Sequence, residues 1–386
     1  MNKIKILHVT GAMNRGGAEV MLMDIYRNIS TTFQFDFLVN YKIKEGVVQG
    51  DFDDEIYANG ARIKHIASQW DIGPLQYVKE FKKICKEVGK PDIVHIHMNA
   101  KSGIIALAAK NAGIKNIIVH SHADLKFRGS FGSRMASKLE FVFQKHLISM
   151  FANHFWGCSD EANSSLFYKR LLTVQSSTVI KNAIDLDAFI KPDEEAIQKL
   201  RESYAITSNT VVFGNVGRIV RHKNIGVLLD FFKKLKKENL DFVFVYAGRI
   251  ADQVYYNEFL EKVKLYNLEG EMRYIGVRSD VPEVFHSFDV FLGPALQEGF
   301  GMVAVEAQAA GVPSLLYKGF PKTVDVNLDL TTFLADFQTD HWINAIKRRP
   351  EKLTNKALIK EKIIEMGFDV RSNVINIEKH YKMMLR

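Results

Sequence analysis

Apolar runs of strand length alternate with longer helical patterns along the chain. The first series of runs lies at residues 4–10, 33–40, 61–67, 92–98 and 116–122. A glycine turn and a helical pattern over residues 17–29 follow the first run, and further helical stretches separate the others. This alternation is typical of a parallel sheet that helices cover on both faces.

The pattern starts again after residues 172–189. The second series of runs lies at residues 210–218, 241–249, 271–277, 289–295 and 313–317. Two such series predict an α/β protein with two Rossmann-like, doubly wound domains that face a cleft, where ligands of such sheets bind. We expect domains at residues 1–182 and 183–366, with a C-terminal helix at 367–386 that packs back on the first domain.

One stretch, LQEGFGMVAVEAQAAGVP at residues 296–313, places two glutamates among apolar residues and glycines. Gly299 and Gly301 permit unusual backbone angles at a helix start, and the helix that follows is apolar nearly all round, which predicts burial. Glu298 and Glu306 could therefore accept hydrogen bonds from the hydroxyls of a polyol. The alternative is structural, namely a capping glutamate and a buried ion pair.

Two strand-to-helix loops could bind phosphate. In GAMNRGGAE, Gly16 and Gly17 allow close approach to backbone N–H groups at a helix start, although a plain turn explains one glycine pair equally well. The spacing is not GxGxxG and the second strand does not end in an acidic residue, so a dinucleotide oxidoreductase is disfavoured. In GNVGRIVRHKN, Gly217 gives room while Arg218 and Lys223 could clamp a diphosphate; a surface basic turn is the alternative.

Two histidine pairs occupy neighbouring predicted strands. His95 and His97 share one face of a strand, and we favour a structural role for them over a metal site, because no cysteine or glutamate ligand set accompanies them. His120 and His122 lie at the carboxyl end of the next strand. There His122 suits a polar contact to a bound ligand.

Composition narrows the class of partner. The 386 residues carry a net charge of +8, which favours an anionic ligand or an acidic membrane surface. We expect no nucleic acid, because no zinc-finger, RNP or basic-region pattern is present. Two cysteines and no apolar run of about 18 residues predict a cytoplasmic protein without a disulfide framework.

The motifs in their order resemble the retaining GT-B glycosyltransferases of family 4, in particular the EpsF-like enzymes of exopolysaccharide and capsule synthesis. The resemblance runs nearly end to end and rests on six motifs: NRGGAE (14–19), VHSHAD (119–124), GCSDEA (157–162), KNAIDLDAF (181–189), GRIVRHKN (217–224) and EGFGMVAVE (298–306). Two positions depart from the family pattern: PALQEG stands for PSLYEG, and Asn-Ala for Asn-Gly in the interdomain segment.

The resemblance implies a role for each candidate residue. Arg218 and Lys223 would neutralise the diphosphate, Glu306 would bind the ribose, and Glu298 would contact the donor sugar. Gly16 and Gly17 would close over the phosphates, and His122, or His120 as second choice, would lie near the transferred sugar. The remaining donor-binding positions implied are Gly217, Val277, Phe300, Gly301 and Met302.

By the same resemblance, the second domain binds a nucleotide sugar, with a UDP-sugar favoured over a GDP-sugar, and no metal or other cofactor is required. The first domain would bind the acceptor, which we expect to be a lipid-linked saccharide. A basic, apolar helical stretch at residues 129–151 suits an anionic membrane surface at the inner face of the cell membrane, although a core-facing helix fits nearly as well. Two alternatives stay open: a non-catalytic nucleotide-sugar-binding partner and a sugar-nucleotide epimerase.

Overall fold

The computed structural model describes residues 3–122, 131–173, 177–207 and 209–386, and in these ranges the chain forms two α/β units. Unit 1 comprises Met1–Ala183 together with Val370–Arg386, and unit 2 comprises Ile184–Asp369. Residues 123–124 of the VHSHAD motif and residues 129–130 of the predicted helix lie outside the described residues.

Unit 1 contains a parallel sheet in the order β3-β2-β1-β4-β5-β6-β7. Its strands are β1 (Ile4–Thr10), β2 (Phe33–Tyr41), β3 (Ile63–Ala67), β4 (Ile93–Ile96), β5 (Asn116–Ser121), β6 (His154–Gly157) and β7 (Ser177–Val179). Its helices are Gly17–Asn28, Asp53–Ala58, Gln69–Ile72, Pro74–Glu87, Ser102–Asn111, Phe131–Phe151, Asp160–Leu166 and Val370–Met384, with short 3-10 turns at Asn99–Lys101 and Lys169–Leu171.

Unit 2 contains a second parallel sheet in the order β10-β9-β8-β11-β12-β13. Its strands are β8 (Val211–Val216), β9 (Phe242–Ala247), β10 (Met272–Tyr274), β11 (Val290–Gly293), β12 (Ser314–Tyr317) and β13 (Thr331–Leu334). Its helices are Leu186–Ile190, Glu194–Ser203, Leu228–Lys237, Gln253–Leu265, Val281–His286, Met302–Ala309, Thr339–Lys347 and Lys356–Glu365, with 3-10 turns at Arg221–Lys223, Ile225–Val227 and Lys322–Val324.

Helices bury both faces of each sheet, as the apolar runs predict. The central strands are buried along most of their length, and separate apolar clusters pack on the two sides of each sheet. The C-terminal helix Val370–Met384 buries residues at a spacing of four, three and four, which forms one helical stripe against unit 1: Val370, Val374, Ile377 and Tyr381.

The two sheets share one strand order, and this order determines which loops are neighbours. In each sheet the chain winds outward from a first strand and then reverses, so β1 lies beside β4 and β8 lies beside β11. Loops that leave the carboxyl ends of these pairs open a crevice at the switch point, where ligands of doubly wound sheets bind. The loops after β8 and β11 therefore define the region of unit 2 to inspect.

Candidate functional site

The loop after β8 and the loop after β11 meet at the switch point of unit 2. The Leu296 N–H donates to the His222 carbonyl at 2.9 Å, which joins the two loops through their backbones. The Lys223 ammonium donates a hydrogen bond to a carboxylate oxygen of Glu298, and these two side chains retain only 19% and 10% of their exposure. Two predicted site residues from different loops thus form a largely buried ion pair. A buried ion pair of this kind is part of the structural alternative given above for Glu298 and Glu306.

Arg218 has a different environment from Lys223. Its side chain is exposed, and no described residue provides it with an ion pair or a hydrogen bond. The next arginine, Arg221, instead pairs with Glu258 at 2.7 Å, and this contact raises the pKa of the Arg221 guanidinium. Of the two arginines in this loop, Arg218 is therefore the one available to an added anion.

At Gly217 the loop after β8 passes very close to the loop after β9, a contact that the sequence analysis did not predict. A Cβ on Gly248, in the loop after β9, would lie 2.0 Å from the Gly217 carbonyl oxygen, so only glycine fits at position 248. The Gly217 N–H also donates to the Ala247 carbonyl, and the Tyr274 hydroxyl donates to the Gly248 carbonyl at 2.8 Å. Both loops begin with the same dipeptide, Gly217-Arg218 after β8 and Gly248-Arg249 after β9. This repeat was the sequence signal for Gly248.

The loop after β12 contacts the EGFG turn at residues 298–301 and fixes its position. The Glu298 N–H donates to the Gly319 carbonyl at 2.9 Å, and Phe320 packs so closely that a Cβ on Gly301 would lie 2.6 Å from its ring. Gly301 adopts φ +88°, a left-handed conformation at the N-cap of helix Met302–Ala309. The sequence analysis missed Gly319 and Phe320, although a glycine two residues after a strand was a usable signal.

The other predicted donor-binding residues differ in how far their side chains are exposed. Phe300 is buried and packs edge-on against Phe368 at 5.5 Å, so only its backbone is available to a ligand. Glu306, on the buried helix, and Met302, at its first turn, are half-buried. Val277 is 43% exposed in the loop after β10. The structure therefore brings Lys223 and Glu298 into direct contact and places Val277 on a separate loop of the same unit.

The predicted residues of unit 1 lie at the carboxyl ends of β1 and β5. Gly16 caps helix Gly17–Asn28 in an extended conformation, and a Cβ on Gly17 would meet no atom within 4 Å. The His122 N–H donates to the Asn99 side-chain oxygen at 2.8 Å. Burial lowers the pKa of His122 to about 4, so its ring is neutral near pH 7.

His122 belongs to a buried cluster of five histidines, which also contains His8, a member that the sequence analysis missed. His122 and His97 share a hydrogen bond of 2.8 Å, and His97 and His8 share one of 3.0 Å. A second chain runs from His120 through His95 to the hydroxyl of Tyr381. Burial lowers the pKa of every member of the cluster.

Two trios of these rings place their ligand nitrogens within 4.8 Å of one another: His8, His95 and His97, and His97, His120 and His122. Neither trio contains a carboxylate, and a divalent charge is costly to bury without an anion. His95 and His97 already use both ring nitrogens in hydrogen bonds. The geometry favours the structural role expected for His95 and His97 over a metal centre.

Comparison with known proteins gives consistent matches along the whole chain. The family model described as "Glycosyl transferases group 1" matches residues 196–369. The proposed glycosyltransferase EpsF of Bacillus subtilis (strain 168) is 31% identical over 377 residues, which cover 96% of this chain and 94% of EpsF.

Two further proteins extend the comparison. The UDP-Gal:alpha-D-GlcNAc-diphosphoundecaprenol alpha-1,3-galactosyltransferase of Escherichia coli is 27% identical over 395 residues, covering 98% of this chain and 97% of that protein. The crystal structure of Anabaena HepE in complex with UDP-glucose superposes with a TM-score of 0.76 at 19% identity and covers 98% of this chain and 99% of HepE. The structural likeness supports the GT-B fold.

Proposed function

The chain belongs to the group 1 glycosyltransferases, and from this premise we propose that it moves a sugar, with retained anomeric configuration, from a nucleotide-diphosphate sugar to a lipid-linked saccharide. We propose further that the product is a bacterial surface polysaccharide. EpsF and the Staphylococcus aureus capsular polysaccharide biosynthesis glycosyltransferase CapH, which is 25% identical over 305 residues, support this assignment.

The observation that carries the proposal is the meeting of the loops after β8 and β11 at one switch point, where Lys223 contacts Glu298. Arg218 is exposed and unpaired among the described residues, and Lys223 lies against Glu298. In the proposed complex, both cations neutralise the charge that grows on the departing diphosphate, which is electrostatic stabilisation of the transition state. The first-turn N–H groups of helix Met302–Ala309 add the positive end of a helix dipole.

The two glutamates divide the recognition of the donor in this proposal. Glu306, on the helix, binds the ribose hydroxyls, and Glu298, in the loop, binds hydroxyls of the transferred sugar. A diphosphate that binds the Lys223 ammonium would break its ion pair with Glu298. The Glu298 carboxylate could then bind the hydroxyls of the transferred sugar. Val277 contributes to a base-binding loop, and the backbone of Phe300 and Gly301 contacts phosphate or sugar.

Residues of unit 1 contribute polar groups in the same proposal. Gly16 and Gly17 bind phosphate oxygens through backbone N–H groups at the start of a helix. The space beside Gly17 is open, whereas a carboxylate oxygen of Glu19 lies beside Gly16. His122 contacts the transferred sugar, with His120 as second choice. The His122 Nδ1 atom is buried and has no hydrogen-bond partner among the described residues, so it is free to bind a hydroxyl.

The proposed reaction is a same-face exchange at the anomeric carbon. The bond from this carbon to the phosphate oxygen breaks, the bond to the acceptor oxygen forms on the same face, and the acceptor's proton passes to the departing phosphate. Arg218 and Lys223 hold the diphosphate during the step, so that no side-chain nucleophile is needed.

A UDP-sugar is the proposed donor and a lipid-linked saccharide the proposed acceptor. The HepE structure contains UDP-glucose, and the name of the E. coli relative specifies UDP-Gal and a diphosphoundecaprenol-linked GlcNAc. These ligands belong to those proteins, and they support the choice of substrates to test first.

Helix Phe131–Phe151 supports a peripheral contact with an anionic membrane. Its opposite faces differ: Gln144 and Ile148 are buried, whereas five large apolar side chains are exposed, namely Met135, Leu139, Val142, Phe143 and Met150. At about 100° per residue these five fall on one side of the helix. We propose that this exposed apolar face lies on the membrane surface. No helix within the described ranges is long and apolar enough to cross a bilayer.

The test is a transfer assay with UDP- and GDP-sugars and a lipid-linked saccharide on anionic vesicles. We expect one UDP-sugar to be consumed with transfer to the lipid. Glu298→Gln should abolish transfer while nucleotide binding persists. Normal nucleotide binding by the unchanged protein, with neither transfer nor hydrolysis of any donor, would refute the catalytic proposal.

A further inference from the structure

A cavity of about 390 Å³ opens in unit 1 at the carboxyl ends of β1, β2 and β3. The loops after these strands line it, together with the segment that begins helix Ser102–Asn111. Its lining includes Asn40, Tyr41, His65, Gln69, Trp70 and Lys101. None of these residues has a role in the donor site proposed above.

Two residues that line the cavity each carry a buried polar atom without a partner among the described residues. Gln69 is only 5% exposed, and its side-chain amide N–H donates to the Lys101 carbonyl at 3.2 Å. This bond orients the amide, so the Gln69 side-chain oxygen is left as an acceptor without a donor. The His65 Nε2 atom is buried and likewise unpaired. Unpaired buried polar atoms cost free energy, which a ligand hydroxyl would recover.

Trp70 provides an apolar surface beside these polar atoms. Its side chain is 49% exposed, whereas Trp156 and Trp342, the other two tryptophans of the chain, are buried. Val48, also in the cavity lining, is 55% exposed. An exposed indole face next to hydrogen-bonding groups suits a ligand with both C–H faces and hydroxyl edges.

The charges around the cavity balance. Lys42 pairs with Glu45 at 2.7 Å, and the Asp71 carboxylate accepts the Ile43 N–H at 3.2 Å. With Lys101, the lining carries two cations and two carboxylates. No excess positive charge is available here for a diphosphate, so the cavity differs from the Arg218 and Lys223 region of unit 2 and fits a neutral ligand.

We propose that this cavity binds a neutral sugar residue of the acceptor glycan, with Trp70 against one face of the ring and Gln69 and His65 on its hydroxyls. The inference rests on the proposed glycosyltransferase function and adds to it the place and the chemical class of acceptor recognition. It concerns binding alone, so these side chains are specificity determinants and do not take part in the bond exchange.

The first experiment uses Trp70 as its own reporter. Methyl glycosides of glucose, galactose, mannose and N-acetylglucosamine are titrated while tryptophan emission is recorded. We expect at least one glycoside to change the emission, Trp70→Phe to remove the response, and Gln69→Leu to weaken binding about tenfold. The proposal is overturned if no glycoside changes the emission, if Trp70→Phe keeps the response, or if UDP alone produces it.

The second experiment separates this proposal from the proposed function. Trp70→Ala and Gln69→Leu should raise the acceptor KM about tenfold or more and leave UDP affinity and donor hydrolysis unchanged. Leu75→Ala is the matched control, because Leu75 is 82% exposed on the following helix and does not line the cavity.

The outcomes differ for the two claims. Transfer with an unchanged acceptor KM in both variants would overturn the cavity proposal and leave the proposed function standing. Glycoside binding without transfer from any nucleotide sugar would contradict the proposed function, and with it the assignment of the bound sugar as an acceptor.

Discussion

Lys223 and Glu298 form an ion pair although they lie 75 positions apart in the chain. They meet because β8 and β11 are neighbours in the sheet of unit 2, so the loops after them share the switch point. Glu298 compensates the largely buried ammonium, and a bound diphosphate would compete for the same cation. In the proposed donor site, the Lys223–Glu298 ion pair therefore has to be replaced by a contact between Lys223 and the diphosphate when the donor binds.

Lys223→Met should separate the stabilising role of this pair from its catalytic role. We expect kcat/KM to fall about 10²- to 10³-fold, because a cation that faces the leaving group is lost. The free energy of unfolding should fall by about 2 kcal/mol, since a largely buried carboxylate loses its charged partner. Chemical denaturation and steady-state kinetics measure the two effects.

The double variant Lys223→Met, Glu298→Gln is the control. It should recover most of the stability, because no unpaired charge remains, but none of the activity. Recovery of activity in the double variant would show that Lys223 has only a structural role.

Arg218→Ala should weaken the enzyme without weakening the fold. The side chain is exposed and makes no described ion pair, so we expect stability within about 0.5 kcal/mol of the parent. The kcat/KM for the UDP-sugar should fall about 10²-fold. Arg221→Ala is the matched control in the same loop, because its guanidinium already pairs with Glu258. Equal activity losses in the two variants would contradict the assignment of Arg218.

Glu306→Gln should lower nucleotide affinity through the ribose. We expect the Kd of UDP to rise about tenfold, equivalent to about 1.4 kcal/mol, by calorimetry. The parent should discriminate UDP from 2′,3′-dideoxy-UDP, and the variant should bind both with similar affinity. Unchanged UDP affinity in Glu306→Gln would remove Glu306 from the ribose site.

The histidine cluster predicts how stability depends on pH. Burial lowers the pKa of His122 to about 4 and that of His8 to about 3, both below the ordinary value of 6.5. As pH falls below 6.5 the unfolded chain binds protons that the folded cluster does not, so stability is lost. Each such histidine contributes at most about 1.4 kcal/mol per pH unit.

Urea unfolding of the whole chain between pH 7 and pH 5 checks this prediction, since most carboxylates stay ionised in that window. We expect the free energy of unfolding to decrease steadily from pH 6.5 downward. His8→Phe, which removes one titrating ring, should reduce the slope. A stability that stays constant from pH 7 to pH 5 would show that the folded cluster takes up protons.

The sequence predicted the strands that lie in long apolar runs and missed three strands that do not. Long apolar runs such as those of β1 and β9 are visible because these strands are buried on both faces. Three short strands, β6, β7 and β13, were missed. β7 and β13 are half-buried at every position and carry no continuous apolar run, and β6 has only two apolar residues, Phe155 and Trp156. β10 is shorter than the predicted 271–277, because it ends before Gly276, which adopts φ +72°.

The sequence indicated candidate residues for the site but not the contacts between them. Glycines and charges after strands indicated both loops of unit 2, yet the Lys223–Glu298 pair depends on strand order, which local patterns do not encode. Gly248 was missed because its steric constraint comes from the neighbouring loop. His8 was missed because a lone histidine in a strand shows nothing of the rings that surround it.

The central claim is retaining sugar transfer from a nucleotide sugar, and proton NMR of the first product tests it most directly. The protein is incubated with an α-linked UDP-sugar and a lipid-linked saccharide, and the coupling constant of the new anomeric proton is recorded. The account predicts an α-linked product. A β-linked product would contradict the proposed same-face exchange, and a UDP-sugar converted to its epimer without any acceptor would contradict transfer itself.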